Sequence, residues 1–183
     1  MLCLRLTPLL VLVLGVSLGA AFPHNTLRKG CSLFKYKQIM VHEKKAVEKM
    51  QKEFQRNIRR PGRNCNIWLF DREWMPAHLS VPDRVVLVEA ELNFTIKMLQ
   101  LSTHPGFTKT RQRSLAFLIQ AREDLRGCVA PSHQPSGELS QWLQNLQGTM
   151  VTENTSCLED YAIRHILEVL DDLKCAALQE KCS

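Results

Sequence analysis

The sequence predicts an all-α fold: a helical bundle with a long first crossover loop, stapled by disulfides. Three observations predict it. Apolar residues recur at steps of three or four in five separate segments, with almost no strand-like alternation. Past an apolar N-terminal stretch, six cysteines remain, Cys31, Cys65, Cys128, Cys157, Cys175 and Cys182. An even number in an exported chain points to bridges rather than to metal or thiol chemistry. The connection between the first two helical segments covers 61–82, with three prolines and two tryptophans. That length suits a pinned crossover, not a short-looped up-down bundle.

Residues 1–21 read as a secretory signal peptide: Arg5, then the apolar run LLVLVLGV, then the small residues SLGAA. The expected helical domain is 22–183, about 160 residues, enough for one domain with its own core. No later apolar run approaches the roughly 20 residues of a membrane helix, so the expected localisation is extracellular, without membrane insertion.

The first helix is predicted over 33–58, with Tyr36, Ile39/Met40, Val47, Met50, Phe54 and Ile58 on one stripe that Glu43 interrupts. Pro61-Gly62 ends it. Pro82-Asp83 opens the second, which turns Val85, Val88, Leu92, Ile96 and Leu99 inward and Glu89, Asn93, Lys97 and Gln100 outward. His104-Pro105-Gly106 reads as a break. A third helix follows over 113–126, closed by Gly127, and PSHQPSG is a loop. Glu138 to Gln147 is a short helix with Leu139, Trp142, Leu143 and Leu146 inward. Leu158, Ala162, Ile166, Val169 and Leu173 mark one last helix. It must stop near Ala177. Seven residues of helix rise about 10.5 Å, whereas bridged Cα atoms lie within about 7 Å, so Cys175 and Cys182 pair only if the chain folds back. The pairing of the other four cysteines stays open at this point; six cysteines allow fifteen connectivities.

The formal net charge is +6, unevenly spread. Twelve Lys or Arg face three Glu between Arg28 and Arg63, and six acids face three Lys or Arg from Cys157 onward. Such asymmetry is either a solvated helix face or a field that steers partners. Arg56, Arg59, Arg60 and Arg63 form a candidate heparan sulfate contact. Nothing points to nucleic acid, since no aromatics interleave with the basic residues.

Enzyme chemistry is not indicated. The six histidines are scattered, none in a metal spacing, and each reads as a surface residue. GxSxG, CxxC and a phosphate-cradling glycine loop are absent. No catalytic or metal-binding residue and no cofactor is expected. Two glycosylation sequons stand at Asn93-Phe94-Thr95 and Asn154-Thr155-Ser156. Trp68, Phe70 and Trp74 either plug the bundle's open flank or include one exposed anchor for a partner.

Several segments together resemble type III interferons (interferon lambda), within the class II cytokines. Gly30-Cys31 followed by Phe34-Lys35 is similar to that family's mature start. Cys65, Leu69-Phe70 and Trp74 repeat its first-loop spacing. VEAELNFTIKML (88–99) and LSQWLQNLQ (139–147) resemble its helices, as does the last helix from Cys157-Leu158-Glu159 to Cys175 and Cys182. Asp71 replaces the family's loop proline, and the family's last-helix receptor aromatics fall on Arg164 and Leu167.

The resemblance implies a compact class II cytokine bundle with bridges Cys31–Cys128, Cys65–Cys157 and Cys175–Cys182. It implies a likewise secreted antiviral cytokine that joins two receptor chains, a lambda-specific chain and the shared interleukin-ten receptor beta chain, and signals through Janus kinases and STAT factors. On the expected helical phase, Arg164 and Glu168 face out and Leu167 flanks them. With Phe70 and Trp74 they form the expected receptor-binding face of a monomer. Two other readings share some features: another class II cytokine of the type I interferon kind, and a secreted heparin-binding helical protein without receptor signalling.

Overall fold

The computed structural model describes residues 27–39, 41–57, 65, 67–103, 105–179 and 182. Among them stand six α-helices and no strand: α1 (Val41–Asn57), α2 (Val81–Leu101), α3 (Pro105–Leu125), α4 (Gly137–Thr152), α5 (Thr155–Arg164) and α6 (Ile166–Leu178), with short 3-10 turns at Phe34–Tyr36 and Pro76–His78. The all-α expectation holds.

The first helix starts later than its stripe predicts, because its N-terminal part is tied elsewhere. Cys31 is bridged to Cys128 with Cα atoms 5.0 Å apart, and the Arg28 amide donates to the Cys128 carbonyl at 2.7 Å. Lys35 meets Asp124 at 2.5 Å, and the Tyr36 hydroxyl donates to the same carboxylate. The segment therefore wraps the end of α3, with Leu33 and Tyr36 buried, before α1 sets off along it. The third helix begins at Pro105 rather than 113. The expected break separates α2 from α3, and Pro105 opens α3, because proline lacks an amide proton that the first turn would leave unbonded anyway. The Arg111 guanidinium caps the end of α2, donating to the Leu99 carbonyl and, at 2.6 Å, to the Ser102 carbonyl.

α1 and α3 run antiparallel: Tyr36 meets Phe117, Glu43 meets Arg113, and Phe54 meets Phe107. α2 and α3 share a link of three residues, 102–104, which makes them antiparallel neighbours. α1 and α2 are consequently parallel to each other, and the chain must return along the bundle between them. That is why the 58–80 connection is long.

α2 is the central helix and touches α3, α4, α5 and α6. Its apolar surface is wider than one stripe: Leu87, Phe94 and Met98 are buried besides Val85, Val88, Leu92, Ile96 and Leu99. Only a narrow strip with Asn93, Lys97 and Gln100 reaches solvent. A helix apolar on most sides belongs inside a core. Ser80 caps its N-terminus through the Asp83 amide. The Arg84 guanidinium binds the Pro76, Ala77 and Leu79 carbonyls around the 3-10 turn and the Gln179 carbonyl after α6. Gln179 adopts φ 60°. There the chain reverses, bringing Cys182 to Cys175 with a Cα separation of 4.8 Å.

Two histidines are not surface residues. His133 lies 2.7 Å from buried Asp83, whose second oxygen accepts the Ser136 amide. This pair fixes the loop between α3 and α4. His165 is the second. His42 and His78 are exposed; His24 and His104 lie outside the described residues.

Candidate functional site

One region joins elements distant in sequence: the loop after Cys65, the α5–α6 junction and the middle of α1. Cys65 is bridged to Cys157 in the first turn of α5, Cα atoms 5.4 Å apart. From there the loop is held by atoms of two helices. The Trp142 indole donates to the Leu69 carbonyl at 2.6 Å. The Phe70 amide donates to the Tyr161 hydroxyl at 2.6 Å. Burial is the main reason the Tyr161 phenol is pushed up to about 12, so it stays neutral at physiological pH. The Phe70 ring stacks on Tyr161 at 5.6 Å and on His165 at 5.1 Å.

The last helix is not continuous. His165, at φ −97° and ψ 7°, separates α5 from α6. The Ile163 and Arg164 carbonyls beside the break accept the Gln51 side-chain amide of α1 at 2.8 and 2.9 Å. A buried backbone carbonyl needs such a partner. His165 Nδ1 approaches Glu168 Oε1 at 2.8 Å.

Beneath the loop lies a buried charge cluster. Arg72 Nη1 donates to Glu91 Oε1 of α2 at 2.7 Å, and Nη2 to Asp172 Oδ2 of α6 at 2.6 Å. The guanidinium also faces Trp74 at 4.9 Å, and Phe70 and Trp142 at 5.9 Å, distances at which a cation is attracted to a ring. Burial, then the Asp172 charge, raises the Glu91 carboxyl well above the usual range. Burial likewise raises Asp172. Burial opposes the charge of Arg72, but the two carboxylates hold its pKa above the ordinary value. The cluster clamps the loop between α2 and α6. No group of three or more His, Cys, Asp or Glu that could hold a metal is found among the described residues.

The expected contact residues divide by exposure. Phe70 is 8% exposed and packs inward; Trp74 is half-buried against Arg72. Arg164 is half-buried, 3.1 Å from Asp160 and 5.7 Å over the Tyr161 ring. Leu167 is half-buried against the core, and Glu168 is exposed. Asn93 is exposed on α2. Asn154 is exposed and caps α5, its Oδ1 accepting the Ser156 amide at 2.9 Å. Arg56 is exposed on α1; Arg59, Arg60 and Arg63 lie outside the described residues. All three cysteine pairs are those implied by the resemblance. Residue reading missed Gln51, Arg72, Glu91, Tyr161 and His165. The apolar stripe identified the faces of the last helix but carried no signal of the break. The run Asp71-Arg72-Glu73 in an aromatic-rich loop was the available hint of a buried charge.

The interleukin-28A family model matches residues 28–179, and the chain is 48% identical to interferon lambda-3 of Gallus gallus over the whole of both chains. The chain belongs to the interferon lambda family. Interferon lambda-1 of Homo sapiens is 28% identical, across 95% of this chain and 91% of that one. Interferon lambda-3 of Mus musculus is also 28% identical, across 84% and 83%. A type III interferon is a cytokine, not an enzyme. The junction of loop, α1 and α5–α6 in this interferon lambda is thus a pinned scaffold. No helix among the described residues is long and apolar enough to cross a membrane.

Proposed function

We propose that the chain is a secreted antiviral interferon lambda that binds a lambda-specific receptor chain and the shared interleukin-ten receptor beta chain, and so activates Janus kinases and STAT factors. The 1–21 segment is its leader, and 22–183 the cytokine acting as a monomer. The observation that carries this reading is the convergence of α1, the first loop and the α5–α6 junction around His165, in a chain of this family. A surface made of three elements held by a disulfide and side-chain hydrogen bonds needs little ordering on binding. In this reading Arg164, Leu167 and Glu168 contribute from the last helices. Trp74 contributes its exposed part, and Phe70 supports the face from inside.

The test is STAT phosphorylation in epithelial cells with and without the lambda-specific chain, treated with purified protein. A response in both would overturn the receptor assignment. Asn93 and Asn154 are proposed glycan acceptors. At Asn154 the cap uses Oδ1, leaving the side-chain nitrogen for the sugar.

A sulfated polysaccharide contact is a second reading, favoured by one observation. Lys45, Lys49, Lys52 and Arg56 are all exposed and share one face of α1. Elution from heparin at the salt expected for a net-charge-matched control would remove it.

A further inference from the structure

α1 sorts its charges around its axis. Lys45, Lys49, Lys52 and Arg56 are exposed and follow one another at steps of four, three and four. At about 100° per residue they fall within an arc of about 60°. Val47 and Phe54 lie on the opposite side of the helix and are buried, so core packing holds the stripe toward solvent. The acids of α1 are drawn off that line. Glu43 is bound by Arg113 of α3 at 3.1 Å, and Glu53 accepts the Thr110 hydroxyl of α3 at 2.5 Å. Glu48 is half-buried on the other flank. Among the described residues none of the four cations is held in an ion pair. The result is one straight row of positive charge, about 16.5 Å long at roughly 1.5 Å per residue. Its neighbours stand about 5–6 Å apart at Cβ.

We infer that this stripe is a binding site for a linear sulfated polysaccharide, which lies along α1 with its anionic groups on the four cations. This rests on the polysaccharide reading above and not on the receptor reading. It moves the contact from the run Arg56 to Arg63 onto the body of the helix. A single row of cations matches a single linear polyanion by charge and by shape. A lipid surface fits it less well. A helix that lies on lipid inserts an apolar face beside its basic one, and the apolar face of α1 is used inside the bundle. Binders of single-stranded nucleic acid add aromatic rings for stacking, and the stripe has none. A polysaccharide held here retains the protein at sulfated cell surfaces and matrix.

The experiment measures binding of the purified processed protein to heparin fragments over a range of salt concentrations. Two stripe variants, Lys49→Gln with Lys52→Gln and Lys45→Gln with Arg56→Gln, are compared with the charge-matched pair Lys97→Gln with Lys174→Gln. Lys97 and Lys174 are exposed on α2 and α6. Each cation that neutralises an anion of a linear polyelectrolyte releases counterions, so the slope of log affinity against log salt counts the contacts. Each stripe variant is expected to lose about half of that slope and about tenfold or more in affinity near physiological salt. The α2 and α6 pair should keep the wild-type slope, and melting of all three should stay within about 2 °C of wild type. Losses in the stripe variants no larger than in the α2 and α6 pair overturn the inference and leave the polysaccharide reading standing, because the contact would then lie off the stripe. Wild-type binding no stronger than that of a net-charge-matched control protein overturns both. Binding to phosphatidylserine vesicles as tight as to heparin overturns the choice of a polysaccharide.

Discussion

Tyr161 sets the position of the first loop through one atom. Its hydroxyl accepts the buried Phe70 amide while its ring stacks on Phe70 and packs at a tilt against His165. Tyr161→Phe keeps the rings and orphans the amide, so it is expected to cost about 1–3 kcal/mol of stability, read by urea unfolding. An unchanged unfolding midpoint would mean that the amide finds another partner. Leu167 lies half-buried beside this group. Leu167→Ala is expected to weaken receptor binding by about 1–3 kcal/mol and stability by about 1 kcal/mol. A stability loss in the range of a fully buried leucine, about 2–5 kcal/mol, with binding unaltered would remove it from the face. The outward phase of Glu168 was legible in the sequence, because helical periodicity is local. The inward turn of Phe70 was not, since it depends on Tyr161, 91 positions away.

At the scale of elements, the break between α5 and α6 and the three bridges shape the candidate face. The break is stabilised from α1, by Gln51, and no residue within the last helix announces it. The bridges differ in what they restrain. Cys65–Cys157 closes 92 residues and Cys175–Cys182 only seven. In the chain-entropy model these correspond to about 4.6 and about 2.4 kcal/mol. Replacing both members of a pair by serine should therefore lower the melting temperature more for Cys65–Cys157. The same change should loosen the loop, seen as faster amide exchange at Leu69 and Phe70. An equal fall for both pairs would show that loop length does not govern the effect.

Across the whole molecule, the buried Arg72–Glu91–Asp172 cluster ties the crossover to two helices and governs the response to pH. Glu91 and Asp172 both bind their protons more tightly in the folded than in the unfolded chain. Their contribution to stability is therefore fully present below the unfolded values, about pH 4, and is lost as pH rises through the raised folded values. Asp124 has the opposite sign. Burial would raise it, but hydrogen bonds from Lys35, Tyr36 and Gln120 hold it below its ordinary value. Its contribution is present above the unfolded value and is lost as pH falls through the lowered folded one. The melting temperature is accordingly expected to hold or rise from pH 7 to about 4.5 and to fall below about pH 4. Arg72→Ala leaves two buried carboxyls without their cation. It should cost about 3–5 kcal/mol at neutral pH, with the deficit shrinking on acidification as they take up protons. A deficit constant from pH 8 to 4, measured by calorimetry, would assign Arg72 a packing role alone.

By itself the sequence determined the helical class, the inner faces of the later helices, the long crossover and the chain reversal between Cys175 and Cys182. Each depends on spacing within a few turns of chain, where apolar period, proline and bridge geometry act directly. Interferon lambda motifs in the same sequence carried the pairing of the remaining cysteines. Only the tertiary structure decided that Glu91 is buried, that the last helix breaks at His165, that Phe70 turns in and that Trp68 turns out. Each of those outcomes depends on partners brought together from distant positions: Arg72 and Asp172 for Glu91, Gln51 for the break, Tyr161 and Trp142 for the loop. Burial and the pairing of buried polar groups are properties of packed elements, and no local period in the chain records them.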